Sequence, residues 1–335
     1  MAEAMGTVTI EEVAAAAGVS RSTVSRVVNG SELVRPDTVA AVQKVIAELH
    51  YVPNRAARSL ASRQTMAIAL VIPEDTSRFF GDPFFAAIVP GINARLRRAG
   101  YMLNLLIADS DPGNRLTGYV RGGYVDGAII VSHHTSDTFI DHIVAAVPVV
   151  YGGRPAQHRP GTYYVDVDNV AGAREATRHL IERGCRTLGT ITGPRSMPAG
   201  IDRLEGFRQA LAEAGIPEGP VVAGDFSVEG GAEAMRSILA AGEVPDGLFV
   251  ASDLMAQGAL TTAQGAGIRI PQDLKVVGFD DSSVATAVNP KLTTIHQPSY
   301  EQGELMAEIL LDILSGGKPP HETIMPAELV VREST

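Results

Sequence analysis

The sequence contains only one cysteine, Cys185, among its 335 residues, and it contains no tryptophan. A single cysteine excludes an intramolecular disulfide framework and a zinc site built from several cysteines. No apolar run reaches the roughly 18 residues of a membrane-spanning helix, and no phosphate-binding loop of the Walker type is present. The first residues also lack the basic patch and apolar core of a secretory signal. We therefore expect a cytoplasmic protein with no cofactor, no metal and no membrane partner.

Charge is distributed unevenly along the chain. The whole sequence carries a net charge of −10, which taken alone argues against a nucleic-acid partner. Residues 18–63 nevertheless contain seven basic and three acidic side chains, which is a net charge of +4. Because a basic segment precedes an acidic remainder, local charge is a better guide to partners than the total.

The N-terminal segment is predicted to form short helices joined by tight turns. Thr9 begins a capping box, Gly18 provides a left-handed stop, and Ser20 caps a second helix over 21–28. That helix has one apolar face and one basic, hydroxyl-rich face, and Pro36 suits the first turn of a third helix. This arrangement is typical of a helix-turn-helix, whose second helix enters the DNA major groove. The alternative is a pair of surface helices in a bundle.

The stretch 54–61 contains good helix formers but almost nothing that could pack against a core. So short a helix is below the length at which isolated helices persist in water. We expect this stretch to be disordered alone and helical only when docked.

From Met66 onward, β-rich runs alternate with helical stretches. Ala67–Ile72 and Leu188–Thr192 are candidate strands, and each precedes a longer helical stretch. The run at 124–131 resembles the run at 245–251, and each follows its candidate strand at nearly the same spacing. Alternation of strands and helices predicts parallel sheets, and the repeated spacing predicts two lobes of βαβ construction. A final strand is expected at the end of the chain, over residues 328–332.

Short motifs run through both parts of the chain. They are Gly18–Asn29, Tyr51–Asn54, Leu60–Ala61, Thr192–Pro194, Asp202–Phe207, Ala251–Asp253 and Val277–Asp281. Together they resemble the LacI/GalR family of bacterial transcription regulators over essentially the whole chain. The resemblance implies an α/β fold, with an N-terminal helix-turn-helix head and a two-lobed periplasmic-binding-protein-like body with parallel sheets. The implied boundaries are 1–53 for the head, 54–65 for a hinge helix and linker, 66–165 and 297–324 for the N-terminal lobe, and 166–296 and 325–335 for the C-terminal lobe.

The resemblance also implies which residues bind DNA. Arg21, Ser22 and Arg26 occupy base-reading positions, and Leu60 occupies a position from which an apolar wedge kinks the duplex. The implied DNA-binding residues are Thr9, Ser20, Arg21, Ser22, Thr23, Ser25, Arg26, Asn29, Thr38, Tyr51, Asn54, Ala57 and Leu60. An arginine such as Arg21 can bind guanine O6 and N7 with two hydrogen bonds. The alternative for Leu60 is a core leucine of the body.

A cleft between the lobes is the expected site of a small effector, because parallel sheets bind ligands beyond the carboxyl ends of their strands. Arg203 and Asp280 are expected to face each other across sugar hydroxyls, with charge-assisted hydrogen bonds. The predicted effector-binding residues are Phe84, Ser132, Arg154, Arg203, Phe226, Ser252, Asp253 and Asp280. Alternatives stay open for four of them: a helix cap or a turn residue for Asp253, a surface ion pair for Arg203, and a core position for Phe226 and for Phe84.

Three further motifs narrow the resemblance to an actinobacterial branch that includes cellobiose-responsive repressors. They are Gly152–Pro155, Asp166–Asn169 and Gly224–Ser227. The expected function is a repressor that binds palindromic double-stranded DNA as a homodimer and is controlled by a sugar, for example a disaccharide such as cellobiose. A different sugar or a purine-like corepressor is the alternative effector. A sugar transport receptor is an alternative function, and so is a glycosidase that uses the adjacent Asp280 and Asp281, although adjacent carboxylates usually point apart. No enzyme activity is expected.

Overall fold

The computed structural model describes residues 8–28, 33–51, 64–157, 160–242 and 244–335. They belong to two compact units, Met1–Thr65 and Met66–Thr335, which are called the head and the body below. Among the described residues, no helix combines the length and the hydropathy that a membrane crossing requires.

The described part of the head contains three helices. They are α1 (Ile10–Ala16), α2 (Arg21–Val28) and α3 (Pro36–Glu48). The Thr9 hydroxyl accepts a hydrogen bond from the Glu12 amide, and the Glu12 carboxylate accepts one from the Thr9 amide, so the predicted capping box forms. One valine from each helix is fully buried, and Val13, Val24 and Val42 form the centre of the head's core.

The described part of the body contains two six-stranded sheets, and each forms the centre of one lobe. The strands of the first lobe are β1 (Ala67–Ile72), β2 (Met102–Ile107), β3 (Gly127–Val131), β4 (Val149–Gly152), β5 (Tyr163–Val167) and β11 (Glu322–Met325). Their order is β11-β5-β4-β3-β1-β2, and all neighbours are parallel. Because β5 pairs with β11 as far as Val167, the first sheet continues past the boundary at 165 expected from the sequence.

The second lobe has a sheet of similar construction. Its strands are β6 (Leu188–Thr192), β7 (Val221–Ala223), β8 (Gly247–Val250), β9 (Lys275–Asp280), β10 (Thr293–His296) and β12 (Glu328–Val330). Their order is β12-β10-β9-β8-β6-β7, and only β12 runs antiparallel to its neighbour. The chain leaves the first lobe at the carboxyl end of β11 and enters the second sheet from the cleft side, so β12 runs away from the cleft.

Helices cover both faces of each sheet. They are α4 (Thr76–Gly81), α5 (Pro83–Arg98), α6 (Arg115–Arg121), α7 (Ile140–Val144), α8 (Asn169–Glu182), α9 (Pro198–Ala214), α10 (Val228–Ala241), α11 (Asp253–Gly265), α12 (Ser283–Ala287) and α13 (Ser299–Leu314). All residues of β1 are buried, as expected of a parallel strand with helices on both sides. Helices α5 and α13 pack closely, since Gly91 lies against the Tyr300 carbonyl and Gly303 against the Ile88 carbonyl.

Candidate functional site

A cavity of about 100 Å³, called the inner cavity below, lies between the two lobes. It lies at the carboxyl ends of the strands, since Ser132 follows β3, Ser252 follows β8 and Asp280 is the last residue of β9. The predicted effector-binding residues that line it are Phe84, Ser132, Arg154, Arg203, Phe226, Ser252 and Asp280. Parallel sheets bind their ligands at this end, which makes the inner cavity the candidate ligand site.

Arg203, on α9, is buried at the second-lobe wall of the inner cavity. Its Nε donates to Asn169 Oδ1 at 2.9 Å, and its Nη2 donates to Gln297 Oε1 at 3.0 Å. Its Nη1 donates to the Ala251 carbonyl at 2.6 Å and to Asp280 Oδ1 at 3.2 Å. The expectation of a sugar-filled gap between Arg203 and Asp280 is therefore wrong in this structure, because the two side chains contact each other directly.

Asp280 and Asp253 have different surroundings although both lie at the carboxyl ends of neighbouring strands, β9 and β8. Burial raises the pKa of Asp280, and the guanidinium of Arg203 opposes that shift. Asp253 does not line the inner cavity, which departs from the effector-binding prediction. Its carboxylate is fully buried and accepts hydrogen bonds from Thr294 Oγ1 at 2.6 Å and from the Ser282 amide at 2.7 Å. Asp253 thus ties the segment that follows β8 to β10 and to the segment that follows β9. The residue that caps the helix is Ser252, whose hydroxyl accepts from the Met255 amide, so the helix-cap alternative for Asp253 is also wrong.

Phe226 lies between two guanidinium groups. Its backbone has a positive φ of 67°, and its ring centroid lies 5.6 Å from Arg78 Cζ and 5.7 Å from Arg203 Cζ. The Arg78 Nη1 donates a hydrogen bond of 2.6 Å to the Asp225 carbonyl and so connects the first lobe to the second. A cation over an aromatic face is stabilising, so Phe226 and the two arginines hold one another in place at the edge of the inner cavity.

Arg154 makes a second connection between the lobes. Its Nε and Nη2 donate to Asp202 Oδ2 and Oδ1 at 3.1 and 2.7 Å, and its backbone amide donates to Asp166 Oδ2 at 2.8 Å. The hydrogen bonds with Asp202 raise the pKa of Arg154. Arg154 therefore faces the inner cavity as one half of an interlobe ion pair.

Two adjacent histidines, His133 and His134, follow β3 on the first-lobe side of the cleft. His133 is buried and lines the inner cavity, and neither ring nitrogen forms a hydrogen bond of good geometry with another described residue. Burial lowers its pKa to about 4, so its ring is neutral near pH 7. His134 points elsewhere, with Nδ1 2.8 Å from Ser196 Oγ of the second lobe and Nε2 3.3 Å from Glu74 Oε1. The bond with Glu74 raises the pKa of His134.

The head presents the polar face of α2 to solvent. Arg21, Ser22 and Arg26 are exposed, while Val24 and Val27 on the opposite face are buried. Of the other residues expected to bind DNA, the structure describes Thr9, Ser20, Thr23, Ser25, Thr38 and Tyr51, whereas Asn29, Asn54, Ala57 and Leu60 lie outside the described residues. The described helix has the shape and charge that the helix-turn-helix prediction requires.

Comparison with known proteins establishes the family. Residues 9–54 match a family described as bacterial regulatory proteins, lacI family, and residues 177–335 match a periplasmic binding protein-like domain. The chain is 44% identical over 332 residues to the HTH-type transcriptional regulator CelR of Thermobifida fusca, with 97% of this chain and 98% of that protein covered. This chain belongs to the LacI family. The resemblance and the fold class inferred from the motifs are thereby confirmed.

Other relatives extend the same result. The Ribose operon repressor of Escherichia coli K12 is 34% identical over 310 residues, with 90% of this chain and 92% of that protein covered. A solved structure of a transcriptional regulator CelR–cellobiose complex matches with a TM-score of 0.79 and 42% identity over 98% of this chain and 100% of that one. A lac repressor dimer bound to operator and the anti-inducer ONPF matches with a TM-score of 0.86 and 28% identity over 98% of each chain.

Arg78 and Gln297 are among the residues that sequence reasoning left out of the site of this LacI-family protein. Arg78 is the only basic residue between 73 and 90, which is a signal that could have singled it out. The His133-His134 pair is visible in the sequence, but nothing local distinguishes the buried member from its neighbour. Gln297 carries no motif, and its role as an acceptor for Arg203 becomes evident only in the fold.

Proposed function

We propose that this LacI-family protein is a transcription repressor whose α2 helix reads operator DNA and whose inner cavity binds a small sugar. The observation that carries the proposal is the grouping of Arg203, Asp280 and Phe226 in one buried site. The charged pair offers donors and acceptors to sugar hydroxyls, and the aromatic ring offers an apolar surface to a sugar ring. A disaccharide such as cellobiose is the proposed effector, supported by the related CelR–cellobiose complex.

The arrangement of Asp280 and Asp281 supports a binding protein rather than a glycosidase. Asp280 faces Arg203, whereas Asp281 accepts hydrogen bonds from Arg332 Nη2 at 2.5 Å and pairs with His296 Nδ1 at 3.0 Å. Glycosidases need two carboxylates that flank one glycosidic bond, and these two point into different surroundings. We therefore propose that the chain has no enzyme activity. As a DNA-binding regulator, it is proposed to work in the cytoplasm, on the bacterial nucleoid.

The proposed partner for DNA binding is a second copy of the chain on a palindromic site. Symmetric half-sites suit a helix-turn-helix protein whose two copies are related by a two-fold axis. The proposed division of the chain keeps 1–53 as the head and 54–65 as the hinge and linker. It places the lobe boundaries after Val167 and Met325, since β5 and β11 end there.

Sugar control of DNA binding is proposed to act through the angle between the lobes. Several hydrogen bonds link the lobes beside the inner cavity, among them Arg78 to the Asp225 carbonyl, Arg154 to Asp202, and His134 to Ser196. A ligand that favours one lobe arrangement shifts the equilibrium towards it. Sugar and operator are then coupled by one reciprocal free energy, typically about 1–3 kcal/mol.

The proposal is tested by calorimetry with cellobiose and by a DNA-binding titration. A duplex selected from random DNA by repeated binding to the full chain serves as the operator, and unselected DNA is the control. Cellobiose is expected to bind and to release the selected duplex. Binding to the duplex only with cellobiose would instead indicate corepression. If cellobiose binds and the affinity for DNA does not change, control of DNA binding by this sugar is excluded. If neither a sugar nor a purine binds in the same assay, the proposed function of the inner cavity is wrong.

A further inference from the structure

A second and larger cavity adjoins the inner cavity. It has a volume of about 690 Å³ and lies between the lobes. This outer compartment is lined by Glu74, Ser77 and Gly81 of the first lobe and by Asp225, Ser227 and Glu229 of the second. Its volume lies within the roughly 300–1,000 Å³ that is usual for small-molecule sites, whereas the inner cavity is smaller than that range. A disaccharide therefore needs more space than the inner cavity offers.

Four residues form the wall shared by the two cavities: Arg78, Asp82, Met197 and Phe226. Arg78 Nη2 lies 3.7 Å from Asp82 Oδ2, so one side of this shared wall carries a cation and a carboxylate. Met197 and Phe226, both buried, supply apolar surface. A sugar ring has hydroxyls at its edge and an apolar face, and this wall offers a surface for each.

The hydrogen bonding of Arg78 is incomplete. Its Nε is buried and forms no hydrogen bond of acceptable geometry, although Glu74 Oε1 lies 3.2 Å away. Its Nη1 donates to the Asp225 carbonyl across the cleft. A buried donor whose nearest acceptor lies in poor hydrogen-bond geometry calls for an explanation, and a sugar hydroxyl beside Arg78 would supply an acceptor of better geometry.

We propose that the outer compartment is a second sugar subsite. We further propose that Arg78 binds the effector at the point where the sugar chain extends from the inner cavity into the outer compartment. The first ring occupies the inner cavity, and each further ring of a linear oligosaccharide lies in the outer compartment. Arg78 exchanges its bond with the Asp225 carbonyl for bonds with the sugar. This inference rests on the proposed sugar-binding function, and it adds that the protein distinguishes sugars by chain length.

The test is calorimetry on the full chain with glucose, cellobiose and cellotriose. The parent is expected to bind the two longer sugars at least tenfold more tightly than glucose. Gly81→Phe adds a ring to the outer compartment, and a Cβ at Gly81 meets no atom within 4 Å. This variant is expected to weaken cellobiose and cellotriose at least tenfold and to leave glucose affinity unchanged. Gly118→Phe is the matched control, since Gly118 is an exposed helical glycine of the same lobe with equally open space.

Arg78→Gln provides a second, independent variant, and Arg208→Gln, at an exposed ion pair with Glu218, is its control. Arg78→Gln is expected to reduce the ratio of cellobiose to glucose affinity at least fivefold, while Arg208→Gln keeps the ratio of the parent. Cellobiose binding that is insensitive to both Gly81→Phe and Arg78→Gln would overturn the second subsite and leave the proposed sugar function standing. Failure of all three sugars to bind the parent would overturn the proposed function itself, and the subsite with it.

Discussion

The guanidinium of Arg203 and the carboxylate of Asp280 form a buried ion pair, with Nη1 3.2 Å from Oδ1. Only 6% of the Arg203 side chain and 18% of the Asp280 side chain are exposed. Asp280 is therefore both a wall of the candidate ligand site and the counter-ion of a buried cation. Removing a partner from a buried pair leaves an uncompensated charge, which is strongly destabilising.

Asp280→Ala is expected to lower the free energy of unfolding of the body by about 3 kcal/mol, since Arg203 loses its counter-ion. Asp280→Asn keeps an oxygen that can accept from Arg203 and is expected to cost less. Urea unfolding followed by circular dichroism measures both. Glu218→Ala is the control, because it breaks the exposed pair with Arg208, and exposed pairs contribute little. An Asp280→Ala variant as stable as Glu218→Ala would show that the buried pair has no structural role.

Arg21→Ala is expected to weaken binding to a selected operator by about 1–3 kcal/mol and to leave binding to random DNA nearly unchanged. Arg21 lies at the exposed start of α2, where side chains reach base edges in a helix-turn-helix. Fluorescence anisotropy with labelled duplexes at fixed salt measures both affinities. Arg208→Ala, on the body, serves as the control and is expected to change neither. An equal loss on both kinds of DNA would make Arg21 a phosphate contact.

Local signals in the sequence predicted the elements well. The bounds of α2, β1 and β6 agree with the helix and the strands expected from capping residues and apolar runs, because those signals lie within the elements themselves. Edge strand β11 was not predicted, since its alternate residues are exposed and its four residues carry little pattern. The final strand was predicted to reach residue 332, but β12 ends at Val330.

Contacts between distant segments were predicted less well. The residue types of the site follow from the motifs, but the direct bond between Arg203 and Asp280 joins positions 77 residues apart. The bond from Arg78 to the Asp225 carbonyl joins positions 147 residues apart. The first distance depends on how α9 packs against the second sheet, and the second depends on how the two lobes face each other. No local pattern encodes either arrangement. The same reason explains Asp253, whose strand-end position suggested a ligand contact although its carboxylate faces Thr294.

Alanine substitution at two glycines is expected to change the free energy of unfolding in opposite directions. Gly91 lies where α5 packs against α13, and Gly118 lies on the exposed side of α6. Gly91→Ala is expected to destabilise the body by about 1–3 kcal/mol, because the added methyl group collides with the Tyr300 carbonyl. Gly118→Ala places a methyl group in open space within α6, where it is expected to stabilise by about 0.5–1 kcal/mol. Thermal unfolding of the two variants beside the parent measures both. Equal behaviour of the two would mean that α5 and α13 are farther apart than described.

Buried His133 gives a prediction for stability at acidic pH. Burial lowers its pKa from 6.5 to about 4, so the unfolded chain binds a proton near pH 6.5 while the folded chain does not until about pH 4. The free energy of unfolding is therefore expected to fall as the pH falls through this window, by about 3 kcal/mol in total. Below about pH 4 both states are protonated, and no further loss from this group is expected.

His133→Asn removes the titrating group and is expected to flatten the dependence of stability on pH between 6.5 and 4. His142→Asn is the matched control, since His142 is an exposed histidine on α7 of the same lobe, and this variant should keep the slope of the parent. Urea unfolding at half-unit pH intervals measures all three proteins. The difference in slope between the parent and His133→Asn separates the contribution of His133 from that of His134. The raised pKa of His134 makes stability increase, rather than decrease, as the pH falls. Identical slopes in the parent and His133→Asn would mean that the His133 ring is protonated, or reaches water, in the folded protein.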